Sequence, residues 1–413
     1  MSNWPTIDLA KWHQDLPELN LNLTSGHLAN PGTSESFKMY VCGITPYDAT
    51  HLGHAATYLT FDLINRYLRI SGRTVDFVEN ITDIDDPLFE RANRDNQSWL
   101  KLGQSQVALF ENDMTSLRIL PPKNYVAVTQ AMPSIIRAIQ VLVEKGFTYE
   151  LSGNIYFRIS PYLAELPVTL NQALVIFAER GGDPERVGKE NALDPILWIP
   201  NKDGEPGWDS QMGFGRPGWH IECSVIALEN LIGKDYLDPE NTNSKTIALQ
   251  GGGSDLVFPH HFMSSALAKA LTNSDFAYAY LHAAMVGLNG EKMSKSKGNL
   301  VFVSRLLAEG VDPMILRHAL LSERYSEDRM WSDETLKSSE LRVARLRSAL
   351  ARIECAPTDE VIGLIAGNIA NDLSTPAALV ALDNWALATV NGESGGSVGE
   401  LSRFIDVALG LAL

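Results

Sequence analysis

The chain has 413 residues, of which 45% are hydrophobic and 20% charged, and its formal net charge is −16. That length suits two or three domains of roughly 150 residues each, and no apolar run approaches the roughly 18 residues that a membrane span needs. The acidic balance excludes a broad cationic field for a polyanion, so a tRNA partner is disfavoured, although a local basic patch remains compatible with it.

Taken in chain order, residues 1–37 are polar and irregular and read as an N-terminal surface arm with little function. The first residues lack a basic stretch followed by an apolar one, so no secretory leader is expected and the chain is placed in the cytoplasm. A first half of a nucleotide-binding domain is expected over 38–97: an apolar strand at 39–42, a turn at 43–46, a helix at 53–70 and a second strand at 74–81. This opens a parallel α/β unit, whose ligands sit at the carboxyl ends of its strands. Residues 98–205 read as an insertion, helical over 98–146 and then a hairpin at 148–159. The second half, 206–300, resumes with a strand at 246–250 entering Gly251-Gly252-Gly253, and another at 283–288. Residues 301–332 are expected to form a connecting helical region with the lysine loop, and 333–413 a C-terminal helical bundle with a Gly/Ser linker at 392–399. The expected fold is thus α/β, a Rossmann-like domain split by an insertion and followed by helices.

Four short motifs carry the chemistry. His51-Leu52-Gly53-His54 places two imidazoles three residues apart at a helix start, where the helix dipole favours phosphate. Gly53 leaves room for a flat adenine against the backbone. Lys292-Met293-Ser294-Lys295-Ser296 puts Lys292 and Lys295 on a loop able to bring cationic donors onto a leaving pyrophosphate. The third and fourth are Gly218-Trp219-His220-Ile221-Glu222-Cys223 and Phe258-Pro259-His260-His261. With three cysteines (Cys42, Cys223, Cys355), an odd number in a reducing compartment, ligand or buried roles fit better than disulfides.

The order of these motifs resembles the class I aminoacyl-tRNA synthetases, and the two cysteines with the histidine resemble their cysteine-specific branch. That resemblance spans about 38–390 and implies His51, His54, Lys292 and Lys295 as catalytic residues. It implies adenylate contacts from Cys42, Gly43, Ile44 and Thr45, from Thr57, from Asn80, Ile81 and Thr82, and from Trp219, Gly253, Ser254, Asp255 and Val286. It also implies one zinc ion per chain, with ATP and magnesium as substrate. The tRNA-charging pattern holds zinc through two cysteines, a histidine and a glutamate, which map to Cys42, Cys223, His260 and Ser264. Three match and Ser264 does not, and Phe262 also departs from the expected acidic residue.

Two cysteines and one histidine instead resemble the mycothiol cysteine ligases of this branch, whose three protein ligands leave a position open for the substrate thiol. The segment from Cys42 to His51 looks like that family's loop, and Glu179-Arg180-Gly181-Gly182-Asp183-Pro184 resembles its signature. By that resemblance Glu179, Arg180 and Asp183 bind the hydroxyls of an amino-sugar acceptor, glucosaminyl-inositol, and the chain after Ser296 is short for an anticodon-reading domain. The expected partners are small molecules (L-cysteine, ATP and glucosaminyl-inositol) with no membrane, and the expected state is a monomer. The alternatives are a compact cysteinyl-tRNA synthetase and a non-catalytic paralogue.

Overall fold

The structure, a computed structural model, describes residues 4–26, 36–202, 204–293 and 298–413. Its centre is a six-stranded sheet in the order Ser25–Gly26, Ala277–Ala283, Ile247–Gly253, Phe37–Ile44, Val75–Ile81, Asn124–Ala127. All neighbours run parallel except the short Ser25–Gly26 edge. Phe37–Ile44 is buried at six of its eight positions, as a strand covered on both faces must be.

Strand order reverses at the middle of this sheet. Phe37–Ile44 continues through Val75–Ile81 to Asn124–Ala127 on one side, while Ile247–Gly253 and Ala277–Ala283 lie on the other. Met39, Tyr40 and Val41 sit beside Leu249, Gln250 and Gly251. Such a reversal opens a crevice beyond the carboxyl ends of the two central strands, and that is where an α/β sheet receives its ligand.

One face is covered by the Leu52–Ile70 helix and the C-terminal helices, with Leu52, Phe61, Leu316, Ile365 and Phe404 in one core. The other face packs Ile135, Ile226 and Leu267 from the Val128–Glu144, Trp219–Leu231 and Phe262–Thr272 helices. A separate antiparallel sheet joins Thr148–Leu151, Asn154–Phe157, Ile196–Pro200 and Gly215–Pro217. Four helices, Asp333–Leu350, Asp359–Ala370, Thr375–Val390 and Val398–Leu409, end the chain. Among the described residues no helix is long and apolar enough to cross a membrane.

Three sequence expectations differ from this architecture. The stretch read as a helical insertion contains Asn124–Ala127, which is the sheet's edge strand, paired with Val75–Ile81. Four residues between two long helices are too few to show an alternation. The strand expected at 283–288 is two strands: Ala277–Ala283 belongs to the main sheet, whereas Val286–Leu288 joins Glu291–Lys292 and Arg329–Trp331 in a small sheet of its own. The arm at 1–37 is anchored where it is described. Trp4, Trp12, Leu19 and Leu21 are buried, and the Trp4 indole donates to the Ile119 carbonyl at 3.0 Å.

A buried ion group ties these layers together. Asp62 accepts from Arg66 at 2.8 Å and also pairs with Arg317, while the Leu120 amide donates to its second oxygen at 2.9 Å. Arg317 also donates to the carbonyls of Leu409 at 2.7 Å and Leu117 at 2.6 Å. One guanidinium thereby joins the first long helix, the loop before the edge strand and the chain's end. Removing one partner leaves charge buried and unpaired, so Arg317→Ala is expected to lower unfolding free energy by about 3–5 kcal/mol in urea denaturation. A loss below about 1 kcal/mol, the range of an exposed pair, would contradict this role.

Candidate active site and metal centre

Cys42 stands near the end of Phe37–Ile44, Cys223 in the second turn of Trp219–Leu231, and His260 in the helical turn Val257–His261. The ligand atoms of these three side chains all lie within 4.8 Å of one another, and all three residues are buried. Nδ1 of His260 meets Nδ1 of His220 at 3.0 Å, leaving its Nε2 buried with no hydrogen-bond partner. The Trp219 indole stacks on the same imidazole at 4.0 Å with 16° between planes.

Burial pushes the Cys42 thiol up. It acts in the same sense on Cys223, but hydrogen bonding with Cys42 and the neighbouring His260 hold the Cys223 thiol well below its usual range. Two sulfurs beside an orphaned imidazole nitrogen form the donor set that a borderline-soft divalent cation completes.

Around these three residues lies a histidine chain that the sequence did not reveal. Cys42 Sγ is 3.2 Å from Nε2 of His261; Nδ1 of His261 is 2.7 Å from Nε2 of His282; and Nδ1 of His282 is 2.8 Å from Thr24 Oγ1. Such outer contacts orient ligands. Ser264 does not join the cluster. Its hydroxyl donates to the His220 carbonyl at 3.1 Å, bracing the Phe262–Thr272 helix against Trp219–Leu231. Phe262 is likewise buried, packed on Phe258 with ring centroids 5.8 Å apart.

The end of the crevice expected to take phosphate is built from the first helix. His51 is its N-cap, and Nδ1 accepts the amides of Gly53 at 3.1 Å and His54 at 3.4 Å. The two imidazoles stack with centroids 3.8 Å apart. A Cβ on Gly53 would come within 2.9 Å of the His51 ring, so this glycine first serves the cap. The Thr57 hydroxyl donates back to the Gly53 carbonyl at 3.1 Å. Leu52 donates to Val301 at 2.9 Å and Val303 to Thr50 at 3.0 Å, so the chain just beyond the lysine signature is laced to the histidine signature. Lys292 closes the Glu291–Lys292 strand, whereas Lys295 lies outside the described residues.

Other expected adenylate contacts gather at the strand ends. The Asn80 side chain accepts from the Gly43 amide and the Tyr40 hydroxyl, each at 2.8 Å, and donates to Thr82 at 2.9 Å. Thr82 in turn donates its amide to the Ile44 carbonyl at 2.9 Å, next to Ile81. Gly253, Ser254 and Asp255 turn off the neighbouring strand, and Val286 is buried at the start of the small sheet.

Beside this crevice is a cleft of about 660 Å³ lined by Thr45 and Trp219 on one side and by Glu179, Arg180 and Asp183 on another. The acidic signature is a helix end: Thr169 and Gln172 box the N-terminus of Leu170–Glu179, and Gly181 leaves it at φ +85°. Arg180 reaches across to Asp255 at 3.4 Å, joining the signature to the adenylate turn. Asp183 is committed differently. Its carboxylate accepts from Tyr156 at 2.5 Å and Lys189 at 2.9 Å, with Arg186 at 3.6 Å. No sequence signal links Asp183 to Tyr156, which comes from the Asn154–Phe157 strand of the antiparallel sheet.

Comparison with known proteins agrees with this geometry. Residues 28–341 match the family described as tRNA synthetases class I (C) catalytic domain. An L-cysteine:1D-myo-inositol 2-amino-2-deoxy-alpha-D-glucopyranoside ligase of Streptomyces griseus is 49% identical over 384 residues, 91% of each chain. A ligase of the same name from Gordonia bronchialis is 44% identical over the whole of both chains. In fold, the chain is similar to Mycobacterium tuberculosis methionyl-tRNA synthetase in complex with methionyl-adenylate, at TM-score 0.60 and 16% identity, covering 92% of this chain and 89% of that one. A LeuRS–tRNA–LeuAMS ternary complex of Agrobacterium radiobacter gives TM-score 0.63 at 13% identity, with 92% and 84% covered.

The strand ends tolerate no side chain where they approach. A Cβ on Gly43 would lie 1.7 Å from the Asn80 carbonyl oxygen, and one on Gly251 2.1 Å from the Phe61 ring. Gly43→Ala is therefore expected to cost about 1–3 kcal/mol of stability by overpacking, measured by thermal or urea unfolding. An unchanged midpoint would show that the two strand ends are not held this close.

Proposed function

We propose an activity for this chain from one premise: it belongs to the cysteine branch of the class I aminoacyl-tRNA synthetase family, together with ligases nearly half identical to it. The activity is ATP-dependent ligation of L-cysteine to the amine of 1D-myo-inositol 2-amino-2-deoxy-α-D-glucopyranoside through cysteinyl-AMP. Its products are the amide, AMP and diphosphate, as mycothiol assembly requires. The observation that carries this reading is the junction of a Cys/Cys/His cluster, a phosphate-binding helix start and a cleft lined by the Glu179-to-Asp183 signature.

Cys42, Cys223 and His260 hold one zinc ion in this reading, which when bound accepts the substrate thiol as thiolate and thereby selects cysteine. Shape alone would separate near-isosteres by only about 10 to 200-fold. Cysteine's carboxylate attacks the α-phosphate of magnesium-ATP in line, and His51, His54, Lys292 and Lys295 neutralise the charge that develops on the phosphates. Glu179 and Arg180 face the acceptor's hydroxyls. Asp183 acts through Tyr156 and Lys189, holding the signature turn in place.

Mass spectrometry of a reaction with ATP, cysteine and glucosaminyl-inositol, run beside a tRNA-cysteine charging assay, tests the reading. An amide product with AMP and no charged tRNA is expected. Charged tRNA without amide would make the chain a cysteinyl-tRNA synthetase, and neither product would leave a non-catalytic paralogue. Cys223→Ala should reduce cysteine-dependent ATP/pyrophosphate exchange on the order of 100-fold or more and let serine compete, because only shape is then left to discriminate.

A further inference from the structure

The acceptor amine must lose a proton as it becomes an amide, and the cleft between the adenylate crevice and the Glu179-to-Asp183 turn is lined by six carboxylates: Asp85, Asp86, Glu90, Glu179, Asp183 and Glu222. Most are already committed or out of place. Asp86 is ion-paired with Arg216, Asp183 is bound by Tyr156 and Lys189, and Glu222 is buried beside Cys223. Glu90 is exposed on the outer part of its helix, as is Glu179 at its helix end. Asp85 is half-buried and lines the same cleft as Thr45, which by family resemblance touches the adenylate. Its position is fixed, because it is the N-cap of Asp86–Arg94 and accepts the Asp86 amide at 2.9 Å.

We propose that Asp85 is the general base of the second half-reaction, a role that rests on the ligase reading. The acceptor attacks as its free amine. The nitrogen-to-acyl-carbon bond forms, the bond from that carbon to the phosphate oxygen breaks, and AMP leaves with the electron pair. The proton shed by the nitrogen passes to the Asp85 carboxylate and from there to solvent.

The surroundings suit the task. Burial pushes the Asp85 carboxyl up to about 6, with the neighbouring Asp86 charge acting in the same sense and the Asp86 amide, Arg216 and Thr45 acting against it. The groups around it are Asp86 and Glu90 on its own helix, Tyr47 on the preceding turn, and Arg216 on Gly215–Pro217. Glu222 on Trp219–Leu231 also acts on it, and His220 on that helix lines the same cleft with Glu179 and Arg180. A base is most effective when it titrates near the working pH. Because the shift is upward, Asp85 is protonated and inactive below about pH 6 and ionised above it.

Asp85→Asn keeps the helix cap, since asparagine caps as well as aspartate, and removes only the proton acceptor. Exchange of pyrophosphate into ATP with cysteine should persist near the wild-type rate. Single-turnover transfer from preformed cysteinyl-AMP to glucosaminyl-inositol should fall about 10² to 10⁴-fold with little change in acceptor KM, and the part of the wild-type acidic limb that Asp85 sets near pH 6 should vanish, leaving only the slope from protonation of the acceptor amine. If the wild type forms no amide, the ligase reading fails and takes this proposal with it. If the wild type forms amide and the variant transfers at the same rate with the same acidic limb, the base proposal alone is overturned. Loss of exchange, or a rise in acceptor KM alone, would equally overturn it, leaving Asp85 a residue that shapes the site or docks the acceptor.

Discussion

The site depends on keeping two sulfurs and an imidazole together in a buried pocket. Cys42, Cys223 and His260 belong to a strand and two helical segments from both halves of the chain, and none of the three touches bulk water appreciably. Thiolate charge buried without a cation is costly, and an imidazole nitrogen with no partner adds to that cost. A bound cation reverses the sign of both effects, so metal affinity and local folding are coupled. The second layer follows from the same demand. His220 fixes which nitrogen of His260 is left over, Trp219 stacks on its ring, and Ser264 braces the helix that follows His260 against the one that carries Cys223.

The parallel sheet supplies the rest by bringing chemistry from distant segments to one edge. At the reversal of strand order, Phe37–Ile44 delivers Cys42 and Gly43 while Ile247–Gly253 delivers the glycine turn. The backbone there is bare because neighbouring groups occupy the space a side chain would fill. The two ends of the crevice then lie on either side of this line, one at the His51 cap and the other in the cleft shared by Thr45, Trp219 and Arg180. Arg180 paired with Asp255 gives the two ends a physical link.

Much of this was legible in the sequence because the informative motifs are contiguous and their spacing is set by helix and strand geometry. The helix after Cys42 and the histidine pair at its start follow from short segments, and Cys42, Cys223 and His260, named by the family resemblance, come together in one cluster. What escaped depends on contacts between segments. The role of Asp183 as a turn anchor requires Tyr156 and Lys189 to arrive beside it, and the His261–His282–Thr24 chain requires the register of three separate elements. Asn124–Ala127 was hidden because a four-residue strand carries no period. The arm at 1–37 reads as polar on average, yet a few widely spaced tryptophans and leucines anchor its described part.

The most direct measurement is metal content and sulfur K-edge and zinc K-edge absorption of the purified protein, before and after addition of L-cysteine. One zinc per chain with two sulfur neighbours and a nitrogen, gaining a third sulfur with cysteine but not with serine, is the expected result. A chain that binds no metal, or a metal whose sulfur count stays the same when cysteine is added, would contradict a thiol-selecting centre at Cys42, Cys223 and His260.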